Sequence, residues 1–233
     1  FFYKRDNSDI LYAGPIWDMD SSIGADTEIY GEYFLNYNNS IMNTDEYIPQ
    51  EDMESKNPLI WDRLLFNNPH YKEYLSETFS SNIPLFEEII NTTTDSYYNK
   101  IKASILMDRA IRGLGAAGHA TVGHYSSYDD DIRYVKFFLQ NRLHFLADLL
   151  DYDGDIPDVV QGNGTVHSIT FLLPDGQVRA FQINDNESLP SNLLPEYDTI
   201  KYKGWINQNT SDPFSIYLPV YEDATYILPP LEE

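Results

Sequence analysis

The chain has 233 residues, 42% hydrophobic and 15% aromatic, which is enough to bury one or two sizeable cores and too apolar for a disordered tract. Lys and Arg number 15 against 37 Asp and Glu, a formal net charge of −22, so free nucleic acid is excluded as a natural partner because nothing neutralises phosphates along a groove. The absence of cysteine removes disulfides, thiolate zinc sites and cysteine nucleophiles together, and no apolar run approaches the length of a membrane span.

The chain opens on Phe1-Phe2-Tyr3-Lys4-Arg5-Asp6, an apolar-to-charged strand with no visible signal peptide, which suggests a piece cut from a longer polypeptide. Phe1–Tyr3 and Leu11–Trp17 read as two strands joined by the turn formers of residues 4–9, a hairpin that feeds the carboxylates Asp18 and Asp20. At strand spacing the two side chains point the same way, so a hard cation could take oxygen from either or both. An acidic turn after a strand would carry the same residues. Residues 25–57, rich in Tyr, Asn, Asp and Glu and without a sustained period, form a long loop suited either to covering a ligand or to decorating the surface; Tyr30, Tyr33 and Tyr37 recur in it.

Helices are predicted from Pro58 onward. Leu59, Ile60, Leu64 and Leu65 repeat at helical spacing around Trp61, with Trp61 and Arg63 read as packing and surface-pairing residues. Asn68 and Pro69 look like a cap and first helical residue, followed by a buried stripe of Tyr71, Tyr74, Leu75 and Phe79. Ser81 or Asn82 before Pro84 marks a further start, and Tyr97–Arg112 carries Ile101, Ile105 and Leu106 along another helix. The glycines of residues 113–123 have no phosphate-loop spacing, and His119 and His124 read as ordinary loop residues rather than metal ligands. Ser127 with Asp129, Asp130 and Asp131 is a strong helix start, and Ile132, Val135, Leu139, Leu143, Leu146 and Leu150 hold one apolar face.

The acids of residues 151–158 hint at a calcium loop, but Gly162 stands where an EF-hand needs its glutamate, so a solvated linker is the reading. Beyond it the pattern alternates. Ile169, Phe171 and Leu173 run to a Pro174-Asp175-Gly176 turn that returns the chain to Ile183, and Lys201–Ile206 and Ala224–Leu228 are two more strands, with Trp205 as a core anchor.

The first part resembles the C-terminal half of the spore-coat protein H (CotH) kinase family, through Leu11–Asp20 with Gly24, Leu59–Pro69, Asp108-Arg109 and Val135–Arg142. The second part is similar to the internalin B-type surface repeat, a β-grasp-like module, through Ile169–Phe171, Tyr202–Trp205, Phe214 and Val220–Tyr226, although Leu173-Pro174-Asp175-Gly176 replaces the usual glycine pair. The resemblances imply an α+β chain: residues 1–152 the mostly helical C-terminal lobe of a kinase-like fold, whose N-terminal hairpin carries the metal site, 153–164 an acidic, glycine-containing linker, and 165–233 the β-grasp-like module. They imply an atypical protein kinase that uses ATP with Mg or Mn, has protein hydroxyls (Ser/Thr) as acceptors, and lies outside the cell or on the cell or spore surface, with the β module available for protein or cell-wall contacts. Asp18 would be a metal and nucleotide ligand in the role of the DFG aspartate, and Asp20 a second ligand or its support. The phosphate-contacting lysine and the catalytic Asp and Asn of such kinases find no match here, Lys4 and Arg5 included, which implies a chain unable to transfer phosphate unaided. The competing expectation is a non-catalytic surface or scaffolding protein that keeps the kinase-like fold.

Overall fold

A computed structural model describes the backbone of residues 2–4 and 11–13, and residues 68–112, 127–158 and 161–231. The chain is a mixed α+β protein. Strands β1 (Phe2–Lys4) and β2 (Leu11–Ala13) pair antiparallel, with Phe2 opposite Ala13 and Lys4 opposite Leu11. The hairpin read from the sequence is present in that backbone, and the rest of the strand predicted to Trp17 lies outside the described residues.

Helix α1 runs from Pro69 to Glu88. Asn68 caps it, its side chain accepting the His70 amide at 3.0 Å, and Pro69 takes the first turn, where no amide is needed. No new helix begins before Pro84. The helix continues through that proline, and Ser81 Oγ and Asn82 Nδ2 turn back to donate to the Thr78 carbonyl instead of capping a start. A π turn over Ile89–Thr93 follows, where the Thr94 amide reaches back five residues to the Ile89 carbonyl and the Thr94 hydroxyl donates to the same oxygen at 2.8 Å. Residues on both sides of this turn keep right-handed helical dihedrals, so α2 (Thr94–Arg112) prolongs α1. The separate helices expected after Asn68, before Pro84 and from Tyr97 are one helical run.

Its buried positions agree with the predicted stripe in part, at Phe79 and Leu75. Phe79, Ile83 and Ile90 enter the core, with Leu75 and Phe86 packed beside them, whereas Tyr74 is 63% exposed. On α2, Ile101 and Leu106 are also largely exposed. The face that α2 turns to its neighbour is instead Tyr98, Lys102 and Arg109, at helical spacing and mixed in character.

Helix α3 spans Tyr128–Leu149, with the Ser127 side chain accepting the Asp130 amide at 3.1 Å and three aspartates in the first turn. It buries two faces. Leu143, Ala147 and Leu150 join Phe79, Ile83 and Ile90 in a helical core, while Tyr134, Phe137 and Phe138 gather around Tyr221 from the C-terminal part of the chain. The single aliphatic stripe expected from the sequence is thus only half of what α3 buries. The segment after α3 keeps Asp153 and Asp155 exposed, as a solvated linker would, but Tyr152 and Ile156 pack on the helical core. Tyr152 meets the Phe79 ring edge-on at 5.6 Å.

The C-terminal part is a four-stranded mixed sheet in the order β4-β3-β6-β5. Strands β3 (Val166–Leu172) and β4 (Val178–Asn184) form the predicted hairpin, turning at Gly176 with φ +84°, a left-handed conformation that favours glycine. Strand β6 (Ala224–Ile227) lies parallel to β3 and antiparallel to the short β5 (Ile206–Asn207). The strand predicted over Lys201–Ile206 is reduced to a bridge at Tyr202 and the start of β5, because Gly204 at φ +122° breaks the extended run. Phe171, fully buried, centres the sheet's core with Ile169, Ile183, Leu189, Trp205 and Val220. Trp205 is the anchor expected, and its indole N–H donates to the Pro195 carbonyl at 2.9 Å.

Candidate functional site

The two residues on which the metal reading depends, Asp18 and Asp20, lie outside the described residues, as do Trp61, Arg63, His119, His124 and the tyrosines of residues 25–57. The structure describes the backbone hairpin that precedes Asp18 and the helices that carry the later landmarks. Among the described residues, no group of three or more His, Asp or Glu side chains is gathered closely enough to hold a metal ion. Among them too, no helix is long and apolar enough to cross a membrane.

The described landmarks tie helices together. Arg109 donates to Asp131 in the first turn of α3, and its guanidinium lies 5.4 Å from the centre of the Tyr128 ring. About two turns earlier in α2, Lys102 reaches Asp129 at 3.1 Å and lies over the Tyr98 ring, which in turn packs on Tyr128 at 5.2 Å. Burial foremost, and then the Asp131 charge, raise the pKa of the Tyr128 phenol, against a smaller lowering by Arg109, so the ring stays a neutral packing surface. Lys136 pairs with Asp95 at 2.5 Å, near the start of α2. Gln140, buried in α3, donates to Asp158 at 3.0 Å and so fastens the segment that leaves the helix. These residue types, at these positions, give the helices a fixed mutual register. None of them forms a nucleophile–base pair with a neighbour.

A second constellation was missed by sequence reasoning. Asp185, at the end of β4, is 3% exposed and accepts from the Asn163 amide at 2.8 Å, from Arg133 of α3, and lies 3.1 Å from His167 Nε2 of β3. Burial works to raise the carboxyl's pKa, but the hydrogen bonds from Asn163, His167 and Arg133 outweigh it and hold the group below the usual carboxylate range. Burial likewise opposes the Arg133 charge, and the Asp185 carboxylate overcomes it, leaving Arg133 still more firmly protonated. Arg133 also donates to Asp130 at 3.1 Å, and its guanidinium stacks 4.2 Å from the centre of the Tyr221 ring. The Tyr221 hydroxyl donates to Asn186 at 2.9 Å, and its own pKa is raised, by burial above all. Every partner here is a fixed protein group, and Asp185 is closed to solvent. The arrangement therefore orients backbone and side chains and leaves no room for a substrate at the carboxylate. Its one sequence signal was the tight Gly162-Asn163-Gly164 segment: a side chain at Gly162 would meet the Asp185 carbonyl oxygen at 2.1 Å.

With this geometry established, comparison with known proteins gives the class. Residues 1–146 match the CotH kinase protein family, well over half of the chain, and the match takes in the β1–β2 hairpin, Asp18 and Asp20, the long helix and nearly all of α3. The chain belongs to the CotH kinase family. No curated protein and no solved structure matches the chain.

Proposed function

We propose that the chain carries the metal-site part of a CotH-type atypical protein kinase, with Asp18 and Asp20 as the carboxylates that would hold Mg or Mn on bound ATP. The observation that carries this reading is the family match over residues 1–146, which includes Trp17-Asp18-Met19-Asp20, a few residues beyond β2 in the sequence. A metal held by Asp18 and Asp20 would supply positive charge to offset the phosphate charge in phosphoryl transfer. What the chain's own residues supply is two carboxylates, Asp18 and Asp20, that follow a short paired strand in the sequence. The acceptors on this reading are protein Ser/Thr hydroxyls, and the site of action lies outside the cell or on a cell or spore surface. The 233 residues alone would transfer no phosphate, since none of them is assigned the phosphate-contacting lysine or the catalytic Asp and Asn.

For the C-terminal sheet we propose a β-grasp-like module of the internalin B-repeat type, beginning near residue 165 after a linker over 153–164 and serving contacts with proteins or cell wall. The strand order supports it: a first hairpin, a last strand parallel to the first, and a short third strand on its outer side.

The test is transfer of labelled γ-phosphate by the natural polypeptide containing these residues, with Mg or Mn and a protein acceptor. Transfer should be abolished by Asp18→Ala and strongly reduced by Asp20→Ala. Absence of transfer with either metal, together with no nucleotide-dependent rise in melting temperature, would sink the kinase reading and leave the non-catalytic scaffold in its place.

A further inference from the structure

The family match ends at residue 146, yet the contacts of α3 do not respect that boundary. Among the described residues three cores are present: one helical, one inside the C-terminal sheet, and a third between them in which Tyr134, Phe137 and Phe138 of α3 meet Tyr221, with Tyr217 and Leu218 beside it. Arg133 lies at the edge of this third core and reaches groups on both sides. One nitrogen donates to Asp130 on its own helix, the other to Asp185 at the end of β4, and the flat face covers Tyr221. Asp185 is in turn fixed by His167 from β3 and the Asn163 amide, while Tyr221 is fixed to Asn186. The chain between the two bodies is fastened as well, through Gln140 and Asp158 and by Tyr152 and Ile156 on the helical core.

We propose that Arg133 locks the C-terminal sheet onto α3 as a fixed extension of the kinase-family unit, so that the helical core and the sheet core open together as one cooperative body. A tethered module would need no buried carboxylate aimed at a helix of its neighbour. It would also have no reason to place Tyr221 under that helix's guanidinium. Separation of the two bodies would leave the buried Asp185 without its guanidinium partner and expose the aromatic faces of the third core together. The lock stands whether or not the protein transfers phosphate, since none of its members belongs to the proposed metal site.

Hydrogen exchange on the 233-residue chain tests it. Amides of β3 around Ile169 and Phe171 and amides of α3 around Leu143 should show opening constants within about threefold of each other and the same urea dependence, as members of one cooperative unit do. Arg133→Met keeps the aliphatic stem and removes the donors. It should make the two sets diverge by about tenfold or more, the scale of a lost charged hydrogen bond. Arg109→Met breaks only the α2–α3 tie and should shift both sets in parallel. Should R133M fail to fold, Arg133→Lys, which keeps the charge without the two-armed geometry, is read the same way. Two independent openings in the unsubstituted chain would overturn the proposal. So would coincident openings in R133M, or in R133K where that variant is the one read, or a divergence in R109M equal to that in R133M.

Discussion

Phe171→Ala is the most decisive perturbation of the C-terminal sheet. Phe171 is fully buried, and its ring meets those of Trp205 at 4.9 Å, Phe214 at 5.3 Å, Tyr226 at 5.5 Å and Phe181 at 6.2 Å. Truncation removes the apolar transfer energy of the ring and leaves a cavity walled by four aromatic side chains, of which Phe214 and Tyr226 pack on each other and Trp205 is held by Tyr197 and the Pro195 carbonyl, so the walls cannot collapse far. Buried Phe→Ala changes cost about 3–5 kcal/mol, and the upper half of that range applies where the walls are rigid. Phe171→Leu fills most of the volume and should cost only about 1–2 kcal/mol. Urea unfolding followed by Trp205 emission, with Trp17 and Trp61 replaced by Phe so that the signal comes from the sheet, measures both. A loss below about 1 kcal/mol for F171A, or equal losses for the two variants, would refute the idea that this ring organises the sheet core.

Acid stability should report on Asp185. Its folded pKa lies below the unfolded value of about 3.9, so the folded state binds the proton less tightly, and the carboxylate's contribution is complete above that value and is lost as pH falls through the folded one. Melting temperature should therefore drop on acidification below about pH 4, and Asp185→Asn should lower it at neutral pH while flattening that acid limb. Gly162→Ala should destabilise more than Gly164→Ala, although only Gly164 has a left-handed φ, of +83°. A methyl at 162 runs into backbone at 2.1 Å while one at 164 meets open space and costs about 1 kcal/mol of strain, an ordering that differential scanning calorimetry checks directly. Ser127→Ala removes the acceptor for the Asp130 amide at the start of α3 and should cost about 1 kcal/mol in denaturant unfolding, with Ser127→Asp restoring most of it.

The features legible in the sequence are those whose physics is local. Asn68 before Pro69 and Ser127 before three aspartates mark helix starts because a side-chain oxygen and a missing amide act within one turn, and both stand where they were expected. Pro174-Asp175-Gly176 marks its turn for a similar reason. Pro84 misled because its cost in a helix depends on what surrounds it: here the helix runs on, with Ile83 buried next to the proline in the core. The stripe on α2 misled because periodicity reports which residues are apolar, not which face finds a partner, and the neighbour is met through Tyr98, Lys102 and Arg109.

The Arg133 constellation was illegible for a different reason. Arg133 and Asp185 are 52 residues apart, and on its own each belongs to an ordinary exposed class. Asp185 becomes unusual only once the hairpin return places it beside His167 and the turn of α3 places Arg133 above it. Tyr134, Phe137 and Phe138 fall off the aliphatic stripe of α3 and so gave no amphipathic signal, yet they are what makes the helix two-sided. An α3 that served only the helical core would need one apolar face. The second face, with its arginine, is a sequence cost that makes physical sense only if the sheet is always there to cover it. That ties the end of the family-matched region to residues beyond it, and it predicts that truncating the chain near residue 152 exposes the aromatic face of Tyr134, Phe137 and Phe138. Such a truncation should bind the dye ANS and lose helical protection around α3, whereas undisturbed protection in the truncated chain would show that the face does not need its cover.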